Sequence, residues 1–423
     1  MKVCVIGAGA AGLCAIKNCL QQNLDVIGFE QSNDIGGTWV YTDKIDKDER
    51  GLDIHSSMYK GLHTNLPKEL MCFPDFPFPS QEKSFLPASD VLDYLNLYVD
   101  TFNVRSRIKF LHIVVRVRPL LDNSWEVIVK NLITNMNETF IFDAILVCNG
   151  HFSVPHIPKF EGQKTFRGRQ IHSHKYRVSK TFQNERVLVI GGSSSGTDLA
   201  REVSNDANLV IWSHHLKEHV DLKAENGNVI QKPDISSLTE DGVFFNDGSF
   251  ERINTVLYCT GYEFTFPFLS IDCNLSCYEN YVQPLYKHCI NINRPTMAII
   301  GIIFNNCPFQ TFDLQIRFHL KFLTGEKAFP SHEHMLADTE KDMNERWKQR
   351  GLSRRKAHSF GDGYQNEYYR DLAVTADIQP IKQYVTKMYS ENRRNRQKDI
   401  ATFRNYIFTI INDETFTTRL LFE

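Results

Sequence analysis

No two of the ten cysteines form a C-x-x-C pair, and ten in 423 residues is too few for a disulfide scaffold. The closest two, Cys273 and Cys277, fit neither a redox dithiol nor a zinc knuckle, so the cysteines read as reduced and mostly buried. Long apolar runs are missing as well. The best, such as residues 297–304, fall well short of the roughly 20 residues that cross a bilayer. Nor is there an excess of either charge. With 48 Lys+Arg against 50 Asp+Glu the formal charge is −2, which lacks the basic footprint of a nucleic-acid binder. There is no repeat and no low-complexity tract, and 42% hydrophobic with 23% charged residues excludes disordered and collagen-like chains. A globular protein of two or three domains remains. The opening Met1–Ile6 already reads as a strand, so no signal peptide is expected, and the chain is expected to be soluble and cytoplasmic, secreted only if a leader was removed. Without a leader the sequons at Asn137 and Asn274 carry little weight.

What is present is a phosphate-binding turn, twice. A short strand at 3–6 runs into Gly7-Ala8-Gly9-Ala10-Ala11-Gly12, a helical pattern follows to Gln22, and the next strand, 25–30, ends in Glu30 followed by Gln31. This is G-x-G-x-x-G between a strand and a helix, with an acid 18 residues beyond the last glycine. Gly7 allows the tight turn, Gly9 lets a pyrophosphate approach the backbone, and Gly12 lets helix and strand pack closely. The helix N-terminus faces the negative charge, and Glu30 suits ribose hydroxyls while repelling a 2′-phosphate. The second copy begins 184 residues later: strand 186–190, then Gly191-Gly192-Ser193-Ser194-Ser195-Gly196, a helix to Val203 and a strand at 208–212. Ser193 replaces the middle glycine, which makes this copy weaker taken alone. Its second strand ends in Ser213-His214-His215 instead of an acid, so hydroxyl and imidazole groups can receive a 2′-phosphate. With His219 these histidines otherwise read as a solvated polar loop, and no further ligands support a metal site. Two dinucleotide folds of opposite ribose preference imply FAD and NADPH, hence an oxidoreductase whose chemistry rests on its cofactors.

Between the two folds stands Phe166-x-Gly168-x-x-x-His172-x-x-x-Tyr176, which matches F-x-G-x-x-x-H-x-x-x-[YF], the fingerprint of flavin-containing monooxygenases. Gly36-Gly37-Thr38-Trp39 is similar to that family's flavin loop, and His55–Tyr59 and Thr64–Glu69 resemble its segments beside the flavin ring. Gly150-His151-Phe152-Ser153-x-Pro155 and Cys259-Thr260-Gly261-Tyr262 resemble the two crossings between nucleotide domains, and Phe312-Asp313-x-Gln315 the return into the flavin domain. The resemblance covers roughly residues 1 to 325. Tyr176-Arg177 replaces the Trp-Pro or Trp-Asp of the Baeyer–Villiger enzymes and points to the heteroatom-oxidising branch. The ending, Thr415–Glu423, is too short and charged for the membrane anchor of the vertebrate branch. The compact chain most resembles soluble insect members that N-oxygenate pyrrolizidine alkaloids in detoxification.

The resemblance implies an α/β fold with two Rossmann-like domains, the NADPH domain inserted in the FAD domain, plus a small β-meander at 108–148. The expected boundaries are 1–160 for the first FAD part, 161–290 for the NADP domain, and 291–423 for the FAD return and a helical tail. It further implies that one oxygen atom passes from a flavin C4a-hydroperoxide to a tertiary amine or sulfide, with O₂ as co-substrate and no protein nucleophile. An NADPH oxidase releasing H₂O₂ and a Baeyer–Villiger enzyme are the alternatives; a disulfide reductase is disfavoured by the missing C-x-x-C. Asn65 is the expected catalytic residue, donating to the reactive oxygen or to bound NADP⁺. Thr38, Trp39, His55, Gln315 and, by its backbone, Val114 are carried over as FAD contacts. Tyr59 and Thr64 are carried over as NADP⁺ contacts. Ser194, Ser195, Gly196, Ser213 and His214 are expected to hold NADP phosphates and ribose, with Arg177 or Arg201 standing in for the arginine many relatives have at His214. His172 and Tyr176 are expected to position the domains and the nicotinamide ribose, and Gly150, Thr260 and Gly261 to admit a cofactor closely. The basic runs Arg354–Lys356 and Arg393–Arg396 read as solvated helix faces. A homodimer is plausible for the family, and no membrane anchor is expected.

Overall fold

The computed structural model describes residues 1–216, 222–224, 226–361 and 363–421, so His219 lies outside the described residues. Two sheets organise the chain, the first parallel but for its last two strand pairings and the second wholly parallel. The first has seven strands, built on Lys2–Ile6, which pairs with Asp25–Phe29 on one side and Ala144–Val147 on the other. The central strands read as unbroken apolar runs because both faces are covered, one by helices and the other by the antiparallel strands between His112 and Phe142. The Ala10–Gln21 helix packs on one face and shares a core with the helix Pro308–Leu323.

The second sheet has five strands and repeats the plan. Arg186–Ile190 lies between Leu209–Ser213 and Thr255–Tyr258, and the helix Ser194–Val203 packs against it. This sheet is an insertion. Ala144–Val147 precedes it in sequence, Met297–Ile299 follows it, and those two strands pair side by side in the first sheet. The two crossings are themselves joined, Val154–Pro155 pairing antiparallel with Tyr262–Glu263.

Three expectations need correction. The meander is only His112–Phe142, three antiparallel strands, because Ile108–Lys109 is the edge of the first sheet and Ala144–Val147 its interior. The return into the first sheet begins before residue 291, since Leu285–Tyr286 and Ile290–Asn291 already pair with that sheet. The tail is not wholly helical. After Gln383–Lys398 it ends in an antiparallel hairpin, Tyr406–Ile410 with Phe416–Leu420, whose apolar side chains pack against Phe85. Among the described residues, no helix is long and apolar enough to cross a membrane.

Candidate active site

In the first turn, Gly7 has φ +100°, and a Cβ there would stand 2.6 Å from the Cys148 carbonyl oxygen. A Cβ on Gly12 would stand 1.8 Å from the Gly7 oxygen. The second turn repeats both contacts. Gly191 has φ +130° and would press on the Cys259 oxygen at 2.4 Å, and Gly196 on the Gly191 oxygen at 1.9 Å. The middle position differs, because Gly9 and Ser193 both have extended backbone with negative φ. A side chain is tolerated there, so Ser193 leaves the second turn intact.

The space over the first turn is open. A Cβ on Gly9 would meet only Gly37 backbone, at 3.6 Å, so Gly9 and the Gly36-Gly37 loop form two walls of a slot, with Thr38 and Trp39 half-buried on the short helix Gly37–Trp39. Neither dinucleotide helix carries an acid in its first turn, leaving the positive end of each dipole unopposed. Glu30 is buried at the strand end, one oxygen accepting the Ala8 N–H at 2.7 Å and the other the Ser32 N–H at 2.9 Å. Val114 lies on the strand tied to Glu30 by the His112 N–H, at 2.9 Å. His55 faces Gly150, its Nε2 3.4 Å from where a Cβ would sit; burial lowers its pKa, opposed by the Glu30 charge. A slot with glycine walls, a helix N-terminus and a ribose-type acid at its end fits FAD.

The turn 61–66 meets the second fold. Thr64 is buried with its hydroxyl accepting from the Leu86 N–H, and Tyr59 is buried edge-on against Tyr176 at 5.4 Å, so, contrary to expectation, neither side chain is open to a ligand. Asn65 is exposed, and its Nδ2 donates to Ser194 Oγ at 3.1 Å, directly across the seam between the two dinucleotide folds. Ser193 and Ser195 flank it with exposed side chains.

Several expected contacts are spent elsewhere. Gln315 is fully buried, its amide accepting from Gly301 N–H and donating to Tyr368 Oη, so its side chain offers a cofactor nothing. Ser213 donates to the Pro233 oxygen, and His214 accepts the Leu216 N–H and contacts Gln231, so both are committed within the protein. Arg177 is no phosphate ligand. It is 6% exposed and donates to the carbonyls of Thr42, Lys44, Ser56, His174 and Tyr176. Arg201 reaches the Ala401 oxygen. His172 donates through Nε2 to the Gly261 oxygen and accepts the His174 N–H through Nδ1; burial pushes it down to about 4, so it is neutral at pH 7. Gly261 (φ +82°) has open space beside it, and Thr260 ties the crossing to the His156 oxygen. Among the described residues no group of His, Cys, Asp or Glu could hold a metal.

The tail supplies what sequence reasoning missed. Arg396, read as a solvated helix face, donates to Ser194 Oγ at 2.9 Å, placing a guanidinium at the second helix N-terminus. Arg404 grips Asp198 on that helix at 2.7 and 3.2 Å and reaches the Thr64 carbonyl. In the other basic run Arg355 pairs with Glu263 and Arg354 lies over Tyr278. No local pattern marks these residues, because their partners lie far away in sequence. The seam, with three serines, a helix N-terminus and Arg396, fits the phosphates of a second dinucleotide.

The flavin-binding monooxygenase-like family model matches residues 1–220 and 216–385. The chain belongs to that family. This flavin monooxygenase therefore works with FAD and NADP(H). Senecionine N-oxygenase of Tyria jacobaeae is 32% identical over 98% of this chain and 91% of its own length. Flavin-containing monooxygenase FMO GS-OX4 of Arabidopsis thaliana is 36% identical over 95% of this chain and 90% of its own. Among solved structures, S-allyl-L-cysteine S-oxygenase from Allium sativum superposes with a TM-score of 0.89 at 30% identity, covering 96% of this chain and 94% of that one. Tmm from Pelagibacter sp. strain HTCC7211 does so at 0.85 and 26%, covering 99% and 96%.

Proposed function

We propose that this flavin monooxygenase inserts one oxygen atom of O₂ into a small soft nucleophile, foremost the tertiary amine of an alkaloid or xenobiotic, and also a sulfide. The observation that carries the reading is the exposed Asn65 amide at the seam of the two dinucleotide folds, where it reaches Ser194 Oγ at the second helix N-terminus. Relatives named as N- and S-oxygenases support the choice of heteroatom.

The slot between Gly9 and Gly37, with Glu30, Gln31 and the Val114 backbone at its ribose end and Thr38, Trp39 and His55 further along, holds FAD. Ser193, Ser194, Ser195 and Arg396 hold the NADP phosphates, the guanidinium supplying the fixed charge that His214 does not. Bound FAD, reduced by NADPH, supplies the activated oxygen. The protein contributes position, charge and dryness. With FAD bound, Asn65 would offer an amide N–H toward the reacting edge of the flavin, and the tail would cover the seam and exclude water. Neutral His172 orients the crossing at Gly261 without moving a proton.

The test offers the purified enzyme NADPH and O₂ with a panel of tertiary amines and sulfides, measuring oxide formed, NADPH consumed and H₂O₂ released. N- or S-oxide in proportion to NADPH is expected, and Asn65→Ala should divert most of the NADPH to H₂O₂. Stoichiometric H₂O₂ with every nucleophile would make the enzyme an oxidase and remove the role given to Asn65.

A further inference from the structure

Asn65 sits on an exposed turn, yet its reactive amide has to be held in one place. Its neighbours on the chain do little to fix it: Leu66 is followed by Pro67, which has no N–H to give. The carbonyls of Thr64 and Asn65 receive no backbone donor among the described residues. Both are instead held by side chains from more than 300 residues away. Asn392 Nδ2 donates to the Asn65 oxygen at 3.1 Å, and Arg404 Nε to the Thr64 oxygen at 3.0 Å.

These two oxygens belong to the two peptide planes that flank the Asn65 Cα. A planar peptide leaves only φ and ψ free at that residue, so pinning both planes fixes both angles and with them the direction of Cβ. Each donor is itself anchored. Asn392 is 3% exposed on the helix Gln383–Lys398, and Arg404 is locked to Asp198 on the second dinucleotide helix. The Asn65 backbone is thereby referenced to the fold that seats the nicotinamide nucleotide.

We infer that Asn392 and Arg404 are positioning residues for Asn65, a tail-borne clamp that holds its amide in register with the second dinucleotide fold. The inference rests on the role proposed for Asn65. Asn392 has a further property that a purely structural residue would not keep. Its Oδ1 is buried without a hydrogen-bond partner, a cost that an apolar side chain of the same shape would remove.

Asn392→Leu separates the two views. The clamp predicts a melting temperature equal to or above that of the wild type and an unchanged rate of NADPH oxidation. The share of NADPH lost as H₂O₂ should rise several-fold, and amide hydrogen exchange in the segment 62–70, measured without nucleotide, should quicken about tenfold. Arg404→Lys keeps a charge for Asp198 but has no Nε donor, and should uncouple the enzyme similarly. It carries the test alone if the leucine variant folds poorly. A folded variant with wild-type coupling and wild-type exchange overturns the clamp. Asn65→Ala tells the two failures apart. If it stays coupled, the role of Asn65 falls; if it uncouples while both tail variants stay coupled, only the clamp falls.

Discussion

Ser193 in the second turn has the backbone of Gly9 in the first, φ −91° and ψ −172° against φ −77° and ψ −176°. The middle position of the fingerprint therefore needs no positive φ, only room for an incoming phosphate. The last position does need glycine, for its Cβ would overlap a carbonyl oxygen in both turns. Ser193→Gly should change stability by only a few tenths of a kcal/mol, about the usual Ser-to-Gly cost at an N-cap whose side chain makes no capping bond. Gly196→Ala should cost about 2 kcal/mol or more and abolish NADPH binding with FAD retained. Urea melts and nucleotide titration of the two variants check the contrast.

Arg177 carries a prediction that separates architecture from ligand binding. Five carbonyls converge on a guanidinium buried in the protein. Arg177→Ala leaves those acceptors unmet and should destabilise the protein by about 3 kcal/mol. At a temperature where the variant is still folded, its KM for NADPH should stay within about twofold of the wild type. A tenfold rise without loss of stability would restore the phosphate role.

Arg396 should behave in the opposite way. Removing its guanidinium from Ser194 with Arg396→Ala should raise the KM for NADPH about tenfold, flatten its dependence on salt, and leave FAD bound. Steady-state kinetics at two ionic strengths, with the flavin spectrum as a check on loading, decide the matter.

Glu202 gives the pH dependence. It lies opposite Gly61 on the second dinucleotide helix, and burial pushes its pKa up to about 7, the nearby Tyr176 hydroxyl opposing and the Asp198 charge adding to the rise. A raised acid contributes stability fully present below its ordinary pKa, and loses it as pH rises through the folded value. Glu202→Gln should match the wild type near pH 4 and be the more stable protein at pH 8, the difference opening between about 4.5 and 7. Parallel melting curves across that range would show that Glu202 is not strained.

The strand–turn–helix of each dinucleotide fold was legible because its physics is local. Gly7, Gly12, Gly191 and Gly196 answer to atoms within a few residues or on the adjacent strand, and spacing records that. Asn65 and the Phe166–Tyr176 fingerprint stand out in the sequence only through resemblance, and the structure puts Asn65 at the seam of the two folds. The committed state of Gln315, Ser213 and His214 was not legible, because a polar side chain at the right position looks the same in sequence whether its hydrogen bonds go to a ligand or to the protein. The tail was least legible. Arg396 and Arg404 occur among polar residues whose helical pattern suggests solvent, and only the return of the chain onto residues 64 and 194 gives them partners.

The insertion of one nucleotide fold into the other has a consequence for how the chain reaches this state. Ile145 and Met297 are paired neighbours in the first sheet, so their registry closes a loop of about 150 residues. Closing so long a loop from an unstructured chain is entropically slow. An insert already collapsed on its own core, with its ends zipped by Val154–Pro155 and Tyr262–Glu263, presents those strands nearly in place. The second fold is thus the one to form first. During synthesis the strand Ala144–Val147 waits with a bare flank until residues 297–299 arrive, and that interval is when the nascent chain is most exposed to aggregation.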